Sequence, residues 1–181
     1  MKGKNPNVSQ KASEWTTSLS DFDLSETSLR WVEATRLIEV LEETFSPICL
    51  QLLHTGFDEK NKIYRREVVL CHRNTPLIFA RTSVSLPLYH SFQEIFDSLN
   101  EKPIGKNFLY TRPDFTRSAF EYRWLTDQSA LPKNIDTSSL HFARRSFFEI
   151  NVNEKAERLC LKEVFLGIVP SKYDSKKALS S

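Results

Sequence analysis

The sequence predicts an α+β fold, an antiparallel β-sheet with helices covering one face. Three observations carry that expectation. Strand-like runs fall into two adjacent pairs, each joined by a short polar turn. Helical runs do not alternate with the strands, as they would in a parallel α/β sheet. The 181-residue chain shows no internal repeat and no Pro/Gly linker, so one domain with a real core is expected.

Taken in order, residues 1–24 are polar and rich in Ser, Asn and Lys, and read as a flexible tail. The final stretch, 171–181, reads the same way, leaving 25–170 as the folded domain. From Ser28, the residues Trp31, Ala34, Ile38, Leu41 and Phe45 recur at helical spacing, with Glu33, Arg36, Glu39 and Glu43 opposite, until Pro47 stops the helix. The run "ICLQLLHTGF" is almost wholly apolar and reads as a buried strand. "IYRREVVLCH" and "TPLIFARTSV" form a hairpin through "RNT". Ser91 and Glu94 have the spacing of a capping box opening a helix with Phe92, Ile95, Phe96 and Leu99 inward. Pro103 suits the first turn of a short helix, "PIGKNFLY". "ARRSFFEINV" and "ERLCLKEVFLGIV", joined by "NEKA", make a second hairpin.

Charges stand where apolar residues belong. In "RLCLKEVFLGIV" alternation places Glu163 on one face with Leu159, Leu161 and Phe165. A carboxylate is seldom buried unpaired, because desolvating it costs several kcal/mol. Arg66 shares a face with Val68 and Leu70, Arg81 with Leu77 and Phe79, and Arg145 with Phe147. Guanidinium forks bind carboxylates bidentately. Three of them beside one acid describe a pocket for a small organic anion that also carries a hydroxyl. A structural reading stands beside it: Glu163 pairs with an Arg, and the other arginines snorkel to solvent. In the adjacent pairs Arg65/Arg66 and Arg144/Arg145, a one-residue bulge would swap the inward member.

Composition excludes other classes. With 25 basic and 23 acidic residues there is no electrostatic footprint for nucleic acid. No apolar run reaches the roughly 20 residues of a membrane span, and the start has no apolar signal core. Only four glycines occur, with no GxxxxGK(S/T), GxGxxG or GxSxG, so nucleotide and serine-hydrolase readings lose their support. Cys49, Cys71 and Cys160 are scattered like reduced thiols of a cytosol-like compartment, and His54, His72, His90 and His141 are equally dispersed. No metal is expected. No apolar stripe is left over once the core is assigned, so a monomer is expected.

The runs "YRREVVLC", "ARTSVSLP", "KPIGKNFLY" and "FARRSFFEINVNEKAERLCLKEVFL", in that order, resemble the chorismate lyases (chorismate–pyruvate lyases, 4-hydroxybenzoate synthases) over about residues 46–170. The resemblance implies an antiparallel sheet with an enclosed ligand pocket beneath helical flaps. It also implies conversion of chorismate to 4-hydroxybenzoate and pyruvate without a cofactor. By motif, Arg66 matches the carboxylate-binding arginine, and Ile104, in "PIG", matches a backbone contact. Glu163, in "EVFL", matches the acid that meets the phenolic hydroxyl, and Arg81, in "ART", matches the arginine of "GRT". Near the first helix only Thr35 and Arg36 match, so a flap contact at Ala34 is left open.

These expectations combine into a site. Glu163 and Arg81 are its catalytic candidates, and Arg66, Ile104, Glu163 and Arg145 its substrate-binding ones. The product would feed ubiquinone or plastoquinone biosynthesis, in a bacterial cytoplasm or a plastid stroma. A rival class keeps the fold as a non-catalytic sensor or carrier of aromatic acids; about 25 polar N-terminal residues are too few for a DNA-binding module.

Overall fold

The computed structural model describes residues 14–125, 131–132, 135 and 140–166, and its framework is a pair of β-hairpins joined side by side. Strand β2 (Ile63–His72) turns into β3 (Thr75–Ser85), and β6 (His141–Val152) into β7 (Lys155–Phe165). Arg73, Asn153 and Glu154 take φ values of 54°, 49° and 66°, the left-handed geometry of tight hairpin turns. β3 pairs with β7, which joins the two hairpins. β1 (Ile48–Asp58) extends one edge along β2. The short β4 (Thr116–Arg117) and β5 (Glu121–Leu125) lie along the outer side of β6. All the pairings are antiparallel.

Four local readings are corrected. The single helix expected from Ser28 is two, α1 (Glu26–Glu33) and α2 (Leu37–Glu42), because the chain leaves helical geometry at Ala34, where ψ is 119°. The apolar periodicity runs through the break because both pieces pack on the same core. β1 is an edge strand with Cys49, Gln51, Leu53 and Phe57 exposed; apolar content alone does not say whether a neighbour lies beyond. The Ser91–Glu94 capping box does not form. Ser91 Oγ instead donates to Pro87 O at the end of α3 (Leu86–Ser91), and α4 (Gln93–Ser98) starts after Phe92. Residues 14–24 are packed rather than flexible. Thr16 and Tyr122 exchange backbone hydrogen bonds of 3.0 and 2.7 Å, and Phe22 is buried against Trp124 and Phe142. The remainder of the expected tails, 1–13 and 171–181, lies outside the described residues.

Both faces of the sheet are covered. All the helices, including α5 (Ile104–Asn107), pack on the face that carries Tyr64, Ile78, Val84, Phe142, Phe148, Leu159 and Phe165. The other face carries Val69, Phe79, Ala143 and Val164, covered by Trp15, Leu131 and Ile135. The helical face holds two apolar clusters. One lies under α3, α4 and α5, the other under α1 and α2. Between them runs a buried polar band of Arg66, Thr82, Arg144, Ser146 and Glu163. Among the described residues no helix is long and apolar enough to cross a membrane.

Phe142, with no exposed surface, touches the rings of Phe22, Tyr122, Trp124 and Phe165. Phe142→Ala is expected to lower unfolding free energy by about 3–5 kcal/mol, measured by denaturant titration. On the opposite face, burial first and then Arg81 and Arg123 depress the Lys162 ammonium to about 8 from its ordinary 10.5. Below about pH 8 the folded chain therefore carries this charge at a cost, which disappears as pH rises from 8 to 10.5. Lys162→Met is expected to stabilise the fold by about 1 kcal/mol at pH 7 and by nothing above about pH 10.5, read from unfolding curves across pH.

Candidate functional site

Register builds the floor of a pocket in the polar band. One row across the sheet reads Val68, Ala80, Glu163, Arg144; the next reads Arg66, Thr82, Leu161, Ser146. The small side chains of Ala80 and Thr82 stand in the middle, so the floor dips between Arg66 and Glu163. Those two residues sit two strand spacings apart, roughly 10 Å between backbones. Leu37 and Ile38 of the α1–α2 corner, with Ile104, Gly105 and Tyr110, form the roof. Arg36, Glu39, Glu42 and Lys106 also line it. The pocket and its mouth, with the open solvent before it, span about 690 Å³.

Arg66 is 1% exposed. Its Nη2 donates to the carbonyls of Asn100 and Lys102, at 2.7 and 2.9 Å, in the loop between α4 and α5. Among the described residues its Nε–H has no acceptor. Burial pulls this guanidinium below its ordinary pKa, but an arginine keeps its charge. A buried donor without a partner costs about 1–3 kcal/mol, which a bound carboxylate would recover.

Glu163 is held from β6. Arg144 Nε donates to Glu163 Oε2 at 2.6 Å, and neither side chain is more than 9% exposed. Arg144 Nη1 reaches the carbonyls of Val32 and Ala34 at 2.8 and 2.7 Å. These carbonyls at the end of α1 have no helical partner of their own, and a cation suits the negative end of a helix. The next carbonyl, Thr35 O, accepts from Arg117 Nη1 at 2.7 Å and from the Tyr110 hydroxyl at 2.9 Å. The α1–α2 corner is thus tied down by three side chains from the sheet and the opposite roof. Burial lowers the Arg117 pKa and raises that of the Tyr110 phenol. A Cβ at Gly105 would lie 2.6 Å from Tyr110 Cε2, so glycine there lets the tyrosine close over the pocket.

Arg66, Ile104 and Glu163 come together around this pocket. Arg81 and Arg145 do not. Arg81 lies on the opposite face, where its Nε donates to Glu67 at 2.7 Å. Arg145 also points there, against Glu121 and the Trp15 ring. Their placement has a physical reason: both faces are apolar, so sharing a face with Phe79 or Phe147 does not identify the pocket side. The inward member of the Arg144/Arg145 pair is Arg144. Sequence alone points to neither Arg117 nor Tyr110: "TRPDFTRSAFEYRW" around Arg117 has no period to assign a face, and Tyr110, at the end of "PIGKNFLY", reads as an ordinary core aromatic. Among the described residues no three His, Cys, Asp or Glu side chains cluster as metal ligands would.

The family model of chorismate lyase matches residues 8–178 of this chain. A Shewanella loihica protein named probable chorismate pyruvate-lyase is 33% identical over 135 residues, covering 71% of this chain and 66%, just under two thirds, of its own length. A Psychromonas ingrahamii protein of the same name is 26% identical over 170 residues, covering 84% of this chain and 89% of that one. A third of that name, from a further Shewanella strain, is 26% identical over 119 residues, 63% of this chain and 60% of its own. With the family's pattern matched across nearly the whole length, on a sheet whose buried band holds an arginine and an acid in one pocket, the chain belongs to the chorismate lyase family.

Proposed function

We propose that the chain is a chorismate lyase, eliminating pyruvate from chorismate to give 4-hydroxybenzoate. One observation carries the reading: a buried guanidinium with a free donor and a buried carboxylate face one pocket from positions two strands apart. That is the polarity of a ring with a carboxylate at one end and a hydroxyl at the other. Arg66 binds the ring carboxylate, helped by the N–H of Ile104 at the start of α5, where helical N–H groups lack internal partners. Glu163 accepts the hydroxyl's hydrogen bond. The enolpyruvyl carboxylate, for which Arg81 and Arg145 lie on the wrong face, turns toward Arg36 and Lys106.

In the reaction the ring carbon bearing the hydroxyl loses its proton and the neighbouring C–O ether bond breaks. The electron pair of the C–H bond completes the aromatic ring, and the ether pair leaves with enolpyruvate. The proton ends on the enolpyruvate methylene, giving pyruvate. Aromatisation drives this step, so the protein's task is to hold the diene and to stabilise charge on the leaving group. Glu163 stands beside the carbon that loses the proton and serves as its general base. Bacterial relatives support a bacterial cytoplasm over a plastid stroma, with the product passing to quinone synthesis.

Purified protein incubated with chorismate is expected to form 4-hydroxybenzoate and pyruvate in equal amounts, followed by chromatography. Arg66→Ala is expected to lower kcat/KM at least about 100-fold. Tight binding of 4-hydroxybenzoate with no turnover would replace the lyase by a sensor or carrier on the same pocket. Glu163→Gln is expected to lower kcat by about 100-fold or more; full turnover would leave Glu163 a binding role alone. Because Tyr110 closes the roof onto Thr35, Tyr110→Phe is expected to weaken product inhibition by about fivefold, seen in progress curves with added 4-hydroxybenzoate.

A further inference from the structure

Arg144 stands outside the pocket lining, yet its guanidinium holds one lining residue, Glu163, and the corner just before another, Arg36. It is wholly buried, on β6, directly across from Glu163 on β7. The Phe120 ring lies 4.2 Å from the guanidinium carbon, so the side chain has little room to swing. Its Nε takes Glu163 Oε2, and among the described residues no donor is given to Oε1. Its Nη1 takes Val32 O and Ala34 O at the end of α1, one residue before the carbonyl that Tyr110 and Arg117 hold. One rigid fork therefore fixes both the carboxylate in the pocket wall and the corner that leads into the roof.

A pair serving only to fill the core would gain nothing from the charges, since an apolar pair of similar volume does as well or better. Here the acid lines the pocket with one oxygen clamped and the other open. We propose that Arg144 is a positioning residue of the lyase: it holds Glu163 by Oε2 so that Oε1 meets the substrate hydroxyl, and it locks the α1–α2 corner to that same carboxylate. The inference rests on the lyase reading above for the identity of the hydroxyl. A lysine cannot replace the arginine, because a single ammonium does not span a carboxylate and two carbonyls in a planar fork.

The test compares two ligands that differ only in the hydroxyl, benzoate and 4-hydroxybenzoate, alongside chorismate turnover. Arg144→Lys is expected to lower kcat at least tenfold. It is also expected to cut the preference for 4-hydroxybenzoate over benzoate at least fivefold, with benzoate affinity within twofold of the unsubstituted chain. The double substitution Arg144→Lys with Glu163→Gln keeps a donor beside the Val32 and Ala34 carbonyls while removing the acid. It is expected to match Glu163→Gln alone in kcat and in ligand preference, because Arg144 acts through Glu163. Equal loss of affinity for both ligands in Arg144→Lys, or a further loss in the double variant as large as in the single one, would overturn the proposal. If the unsubstituted chain did not turn over chorismate, the lyase reading would fall, and the two-ligand preference would still decide whether Arg144 orients Glu163.

Discussion

A guanidinium with no solvent contact, joined to a carboxylate on one side and to the open end of a helix on the other, is the constraint around which this structure is arranged. Arg144 joins β6 to β7 through Glu163 and joins the sheet to α1 through Val32 and Ala34. Each of those groups would be costly to bury alone: the acid for its charge, the carbonyls because the helix has ended. Arg144 satisfies them through Nε and Nη1, while its Nη2 has no acceptor among the described residues. The break between α1 and α2 follows, because the carbonyls at the corner are occupied by the sheet's cations rather than by the next turn of helix.

The pocket exists because apolar packing stops on either side of this network. Tyr64, Phe96 and Phe108 gather under one group of helices, and Phe142, Trp124 and Phe165 under another. Between them the floor residues are short, Ala80 and Thr82, and among the described residues no large side chain fills the gap. Close-packed interiors leave few such spaces unless the polar groups lining them forbid filling. Arg66 and Glu163 do that here, since an apolar plug would leave the Arg66 Nε–H and the second oxygen of Glu163 without a partner.

Charge on the far face has a different meaning. Glu67 with Arg81, and Glu121 with Arg145, are half-buried ion pairs whose apolar stems complete a surface that also carries Phe79 and Phe147. Long cationic side chains cover apolar area while the head stays near water. Arginine among apolar strand residues is thus common to both faces. What separates the faces is burial of the head group: complete for Arg66 and Arg144, partial for Arg81 and Arg145.

By itself the sequence determined the α+β class, both hairpins and the alternation that groups Arg66 with Val68 and Glu163 with Leu161, because a period of two is local and survives without knowledge of partners. It also marked Glu163 as an acid in need of compensation. Tertiary structure alone decided which face is the pocket, which of Arg144 and Arg145 turns inward, that Tyr110 lines the pocket and that Arg117 holds its corner. Those choices depend on strand order and on residues far apart in sequence: Arg144 and Ala34 are brought together only by the fold, and no local pattern encodes that meeting. The edge position of β1 and the split of the first helix were decided in the same way, by what lay beside them rather than by their own residues.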